Sequence, residues 1–176
     1  MKKIRSKFRK SIAYLTRGGL KQLFGRIDQL RIKKGVDELG LEKFIHHCAL
    51  MAAGSGVITG AGGMATMAIG VPLDLINLIT QQFRVTMAIS YYNTGSYKLQ
   101  YDDFIKIIAA SLHVDAGMAV TKNVMEQIGE KLILNIGTKT AERIVPIVGA
   151  VIGGTVNYLF IKRVANSLLN TGTATA

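Results

Sequence analysis

From Cys48 to Leu73 the chain contains no Asp, Glu, Lys or Arg, and nearly half of these positions are Gly or Ala. A stretch this long without charge belongs in a protein core or in a bilayer. It exceeds the roughly 20 apolar residues that suffice to cross a membrane. Its composition argues against insertion, because Gly and Ala contribute little transfer energy and each Gly costs a helix about 1 kcal/mol. A second charge-free run, Ile144 to Ile161, carries Pro146 and Asn157. Gly56 with Gly60, and Gly149 with Gly153, each lie one helical turn apart and would let helix backbones approach closely. The expectation is a buried, close-packed helical hairpin, with membrane spanning as the rival. A phosphate loop is the third reading. Gly54, Gly56 and Gly60 give G-x-G-x-x-x-G, one residue longer than the dinucleotide fingerprint, with no strand before it and no G-K-[ST] after it.

The remaining periodicity is helical. Ile4, Phe8, Ile12 and Leu15 form one apolar stripe, and Leu20, Leu23, Phe24, Ile27 and Leu30 form a second, with Gly18 and Gly19 as a break between them. Leu41, Phe44, Ile45, Cys48, Ala49 and Ala52 mark another amphipathic helix. Val71-Pro72 starts a fresh helix, proline being tolerated in a first turn. Asp74 then lies near the positive end of the helix macrodipole. That helix is predicted to reach Tyr92, with Asn93 to Ser96 as a turn. Further helices are predicted at about 101–112, 115–135 and 138–169. No alternating segment bounded by hairpin turns is present. The predicted fold class is all-α, a single bundle-like domain with a central Gly/Ala-rich hairpin and a basic N-terminal helical arm. The divisions are 1–38 for the arm, 39–170 for the helical domain and 171–176 for a frayed tail.

Charge is distributed as unevenly as hydropathy. Of the net charge of +11, residues 1–34 supply all: twelve Lys or Arg against Asp28 alone, 12 − 1 = +11. Residues 35–176 carry ten basic and ten acidic side chains and sum to zero. A neutral body with a concentrated cationic arm attracts polyanions. Cys48 is the sole cysteine, which excludes an intrachain disulfide and fits a reducing compartment. Met1 to Lys34 lacks the apolar run of a signal peptide, so a retained, cytoplasmic N-terminus is expected.

Thr59 to Tyr92 (TGAGGMATMAIGVPLDLINLITQQFRVTMAISYY), followed by Ile144 to Leu169, resembles the EcsC family of bacterial proteins. The family has a Thr-Gly-x-Gly-Gly segment, then Pro-x-Asp opening a helix that carries an Arg and ends in Ala-x-x-Tyr-Gly. It closes with Pro-x-x-Gly-x-x-x-Gly and an Asn. Thr59, Gly60, Gly62, Gly63, Pro72, Asp74, Arg84, Ala88, Tyr91, Pro146, Gly149, Gly153 and Asn157 match in order. The likeness covers roughly residues 39–169, leaving the basic arm outside it. One departure is Tyr91-Tyr92-Asn93-Thr94-Gly95, where the family has Tyr-Gly directly. The resemblance implies a helical protein, of a family whose founding member is encoded beside an ABC transporter, and supplies fold and setting more than function.

Candidate chemistry is sparse. His46, His47 and Cys48 are consecutive, and neighbours on a helix point about 100° apart, so they do not converge on one ion. His113-x-Asp115 lacks the third and fourth ligands that zinc requires. No catalytic residue, metal or cofactor is predicted. Asp74 and Arg84, ten residues apart on one helix, point about 80° apart and lie some 15 Å apart along the axis. They cannot pair, and each needs a partner elsewhere. The choices are a helix cap for Asp74 and a carbonyl- or carboxylate-bound Arg84, or a polar ligand pocket at the glycine-rich turn.

These features predict a non-enzymatic helical protein docked on an anionic membrane through its arm, accessory to a transport or membrane system. The predicted location is the cytoplasmic side of the bacterial inner membrane. The membrane-binding residues would be Lys2, Lys3, Arg5, Lys7, Phe8, Arg9, Lys10, Arg17, Lys21, Arg26 and Arg31. Cations would meet headgroups while apolar side chains enter the acyl boundary. An integral or pore-forming protein is the alternative. Nucleic-acid binding, with Phe8, Tyr14 and Phe24 as stacking groups, is a further one. It is disfavoured because these aromatics fall largely within the apolar stripes. A last reading packs the arm's stripes on the body and leaves only a solvated basic face.

Overall fold

A computed structural model describes residue 13 and residues 18–58, 73–115, 120–137 and 149–172, with backbone alone at 55–58, 73–75, 133–137, 149–156 and 171–172. The described residues form seven α-helices, and no strand occurs among them. The helices are α1 (Leu20–Gly25), α2 (Gln29–Leu39), α3 (Leu41–Ile58), α4 (Leu73–Thr94), α5 (Tyr101–Ser111), α6 (Lys122–Gly137) and α7 (Gly149–Gly172). The all-α class predicted from periodicity is the observed one.

Helix α4 is the axis of the assembly. Leu78, Ile79, Phe83, Val85, Met87, Ala88 and Ile89 are buried on it, together with Gln81, Gln82 and Thr86. Such a set leaves only a narrow, partly exposed line, Asn77, Thr80 and Arg84, through the middle of the helix. Helices α2, α3 and α7 pack around it, and α3 lies against both α4 and α7. Buried Ala49 and Ala52 on α3 supply the small side chains of that contact. Thus the two arms of the predicted Gly/Ala-rich hairpin are adjacent, while its apex, 59–72, lies outside the described residues.

The second apolar stripe differs from the sequence reading in two ways. It is interrupted, because Asp28 leaves the helical region (φ −76°, ψ 100°) and its carboxylate accepts from the Arg31 N–H at 3.1 Å, capping a new helix. It is also used internally. Leu20, Leu23, Ile32 and Val36 are buried in the common core, and Phe24 and Ile27 pack against it. Phe24 meets Tyr101 edge-on at 5.4 Å and Phe104 at 5.0 Å, and Phe104 in turn meets Phe83 at 4.5 Å. That aromatic cluster accounts for Phe24 as a packing residue, not a free stacking platform.

Polar staples reinforce the attachment. The Gln29 side chain donates to the Leu99 carbonyl (3.1 Å) and accepts from the Leu99 N–H (2.8 Å), so one amide satisfies both backbone groups of a loop residue. Gly18, at φ 103°, supports the break predicted before α1. Gly40 turns α2 into α3 with φ 79°, a conformation open to glycine at little cost. Gly35 serves another purpose. A Cβ there would come within 2.7 Å of the buried Phe44 ring, so its absence lets α2 and α3 close on each other.

Helix ends explain the remaining differences. Helix α4 continues through Thr94, two residues beyond the predicted Tyr92, and Gly95 (φ 71°) closes it with an N–H bond to the Tyr91 carbonyl at 2.8 Å. Helix α5 ends in a Schellman pattern, with Val114 N–H to Ala109 carbonyl at 2.8 Å and His113 N–H to Ala110 carbonyl at 3.0 Å. His113 (φ 53°) occupies the position glycine usually takes. The Lys131 ammonium donates to the Leu112 and His113 carbonyls at 2.9 and 2.6 Å. The next helix therefore begins at Lys122 and not near 115, behind Thr121, whose hydroxyl accepts from the Val124 N–H at 3.3 Å. Helix α7 extends through Gly172, and the first part of the predicted 138–169 helix, residues 138–148, lies outside the described residues.

Among the described residues one buried group is unsatisfied: Gln82 is fully enclosed, and neither its Nε2 nor its Oε1 has a hydrogen-bond partner there. Replacing it with the similarly shaped Met removes a desolvation penalty of about 1–3 kcal/mol, so Gln82→Met should raise the urea midpoint. Ile32→Ala should lower stability by about 2–5 kcal/mol, whereas Arg31→Ala, on the exposed side of the same helix, should change it by no more than about 0.5 kcal/mol.

Candidate functional site

Two regions gather the residues singled out by sequence: the outer side of α1 and α2, and the groove between α3 and α4. On the first, Lys21, Arg26 and Arg31 are exposed. The Lys21 ammonium lies 5.9 Å from the Tyr101 ring centroid, a cation–π contact that fixes the stem of the side chain. Burial raises the Tyr101 phenol to about 12, so it stays neutral at physiological pH. Leu30, 45% exposed, stands one turn before the exposed Lys34 on α2, at a spacing of four. The other predicted membrane-binding residues, Lys2, Lys3, Arg5, Lys7, Phe8, Arg9, Lys10 and Arg17, lie outside the described residues, as does Tyr14.

Helix α2 is latched to α4 through the motif tyrosine. The Tyr91 hydroxyl donates to Asp37 Oδ1 at 2.7 Å, and Lys33 pairs with Asp37 Oδ2 one turn away. The Lys33 ammonium also lies 5.5 Å from the Tyr91 ring centroid. Hydrogen bonding from Lys33, then from Tyr91, holds the Asp37 carboxyl below its ordinary value of 3.8. The bond to Asp37, then the contact with Tyr91, raises Lys33 above 10.5. One exposed cation of the arm is thereby neutralised within the fold.

The second region centres on Arg84. Its Nη1 donates to Gln81 Oε1 at 3.0 Å and lies 3.4 Å from Met51 Sδ. The guanidinium is 5.5 Å from the Phe44 ring centroid. Gln81 Nε2 donates to Asn77 Oδ1 at 3.0 Å, and Asn77 Nδ2 to the Met51 carbonyl at 3.0 Å. Arg84, Gln81 and Asn77 form a row of donors running back along α4 and ending on the α3 backbone. The carbonyl-bound expectation for Arg84 is met by a side-chain amide; among the described residues no carboxylate lies within 4.0 Å of the guanidinium.

Asn157 supports the same helix from the other side, donating through Nδ2 to the Ala52 carbonyl at 3.1 Å. Met51 and Ala52 on α3 are thus gripped by one asparagine from α4 and one from α7. Among the remaining motif positions, Ala88 is buried in the core. Asp74, Gly149 and Gly153 lie in helical backbone, whereas Thr59, Gly60, Gly62, Gly63, Pro72 and Pro146 fall outside the described residues.

The consecutive candidates on α3 point apart. His46 Nδ1 is 2.8 Å from the Tyr158 hydroxyl, its ring edge-on at 5.6 Å, and His47 is exposed. Cys48 is buried, and that burial raises its thiol to about 11 despite the nearby Arg84 charge. The thiol is protonated at neutral pH. Among the described residues no three His, Cys, Asp or Glu side chains are placed to hold a metal ion. Nor is any helix among them long and apolar enough to cross a membrane. Sequence reasoning missed Gln81 and Asn77, whose spacing of four placed them on one face with Arg84 three residues further on.

Comparison with protein-family models, curated proteins and solved structures finds no match.

The latch makes stability depend on pH in a defined sense. A depressed carboxyl stabilises above its unfolded value near 3.8 and loses that effect as pH falls through the lowered native value. A raised ammonium stabilises fully below 10.5 and loses the effect as pH rises through the raised one. Tyr91→Phe should therefore lower the melting temperature at pH 7, and its difference from the native chain should shrink below pH 3.8. Thermal melts of both proteins across the acid range measure this.

Proposed function

We propose that the protein is a non-enzymatic helical module that docks on an anionic membrane surface, on the cytoplasmic face of a bacterial membrane, through its cationic N-terminal segment. The observation that carries this reading is the charge partition: +11 in residues 1–34 and zero in the other 142, counting 176 − 34. Residues 1–17 hold Lys2, Lys3, Arg5, Lys7, Arg9, Lys10 and Arg17 and no acidic side chain. Each basic residue near an anionic surface contributes about 1 kcal/mol. The resemblance to the EcsC family, resting on the order and spacing of the motifs, supports a role accessory to a transport or membrane system.

Packing redistributes the roles within the arm. Leu20, Leu23, Ile32 and Val36 serve the core, so their stripe is not available to the acyl boundary. Ile4, Phe8, Ile12 and Leu15 supply the apolar contribution to docking, while exposed Lys21, Arg26 and Arg31 extend the cationic surface onto the folded body. A chain shortened to begin near Gly35 would lose three of these core side chains and would report on folding, not on lipid.

The test uses the intact chain with the seven basic residues of 1–17 changed to Gln. In flotation with phosphatidylglycerol-containing vesicles, the native protein should bind, bind less as salt rises, and ignore neutral phosphatidylcholine vesicles. The substituted chain should bind at least about tenfold more weakly. Equal flotation of the two proteins, or salt-independent binding to neutral vesicles, would refute electrostatic docking. Retention in the membrane pellet after carbonate washing would favour the integral alternative.

A further inference from the structure

The groove beside Arg84 combines two features that the basic arm does not explain. First, a half-buried guanidinium is surrounded by neutral partners: the Gln81 amide, the Met51 thioether and the Phe44 ring. Only Nη1 of its fork is engaged in these hydrogen bonds, although a guanidinium carries five N–H donors. Since Gln81 and Asn77 pass their own donors down the row to the Met51 carbonyl, no described side chain along it offers Arg84 a negative charge. Second, two adjacent apolar side chains of α3 stand exposed next to this cation: Leu50 is 51% exposed, the largest exposure of an aliphatic side chain among the described residues, and Met51 44%. From Lys43 to Ile58 the sequence contains no acidic residue, and Lys43 lies one and then two turns before His47 and Leu50, at spacings of four and three.

A fixed cation whose fork has further donors without a partner among the described residues, beside two exposed apolar side chains, is complementary to an anionic amphiphile. The planar guanidinium suits two oxygens of a phosphodiester, and an acyl chain would cover Met51 and Leu50. We propose that this groove binds a single anionic phospholipid, its phosphate on Arg84 and one acyl chain along the outer face of α3. The proposal rests on the reading that the protein works at an anionic bilayer, but the site is separate from the arm. It adds a stoichiometric contact to a diffuse one. Bound lipid would bring α3 and the α4 row of polar side chains to the membrane surface.

The probe is dihexanoyl-phosphatidylglycerol kept below its micelle concentration, titrated into the full chain and followed by calorimetry. Glycerophosphoglycerol, inorganic phosphate and dihexanoyl-phosphatidylcholine serve as comparisons. Saturable one-to-one binding of the anionic lipid is expected. It should be weakened about tenfold or more by Arg84→Gln and weakened by the paired changes Leu50→Asn and Met51→Gln, both at exposed positions. The chain with seven glutamines in 1–17 should bind the monomeric lipid as the native chain does, even where it no longer floats with vesicles. Unchanged binding in both groove variants overturns the site. Equally tight binding of glycerophosphoglycerol or inorganic phosphate overturns the lipid in favour of a free phosphate ligand, and equal binding of the phosphatidylcholine overturns the charge recognition. Vesicle flotation tests arm docking and monomer titration tests the groove, so either can fail alone.

Discussion

Everything in this fold depends on enclosing α4. A helix with Leu78, Ile79, Phe83, Val85, Met87, Ala88 and Ile89 buried, and with Gln81, Gln82 and Thr86 buried among them, presents to water only the partly exposed line of Asn77, Thr80 and Arg84 through its middle. Two long neighbours cannot surround it; α3 and α7 cover part, and α1 and α2 supply much of the rest. That requirement recruits residues 20–39, rich in cations, into the body. Their positive side chains face outward because the opposite face is needed within. The charge pattern and the packing pattern of this segment therefore have one geometric origin.

Buried polarity is handled unevenly. Thr86 returns its hydroxyl to the Gln82 carbonyl at 3.0 Å, and Gln81 bonds to both Asn77 and Arg84. Among the described residues, Gln82 has a buried amide without a partner. Polar side chains inside a core raise specificity when all their bonds are made and lower stability when they are not. The two adjacent glutamines of α4 show both situations within one turn. The asparagine grips on Met51 and Ala52 belong to the satisfied kind and fix how far α3 slides along α4 and α7.

Helix class and most helix positions could be read from spacing alone. The 101–112 prediction met α5 at Tyr101–Ser111, and Gly95 closed α4 as a turn glycine should. Spacing could not say which surface a stripe would face. Leu20, Leu23, Phe24 and Ile27 look alike whether they enter a bilayer or a core, and only the proximity of Tyr101, Phe104 and α4 decides. Asp28 read as a lone acid among cations, yet its carboxylate divides the segment into two helices. Long-range polar pairs left no local signature: Tyr91 finds Asp37 across 54 positions and Gln29 finds Leu99 across 70. Among the candidate groove residues, Arg84 was evident as a charge in an apolar context. Its neutral surroundings emerged only once α3 was laid beside it.

The Phe44 ring stands between two elements with different tasks. One edge meets the bare Cα of Gly35 on α2, where even a methyl group would intrude to 2.7 Å, and the ring carries the Arg84 guanidinium 5.5 Å from its centre. The ring thus lies against α2 on one side and the guanidinium on the other, so a closer approach of α2 to α3 would meet the ring first. The segment next to the cationic arm and the guanidinium of the groove are in this way joined through a single side chain.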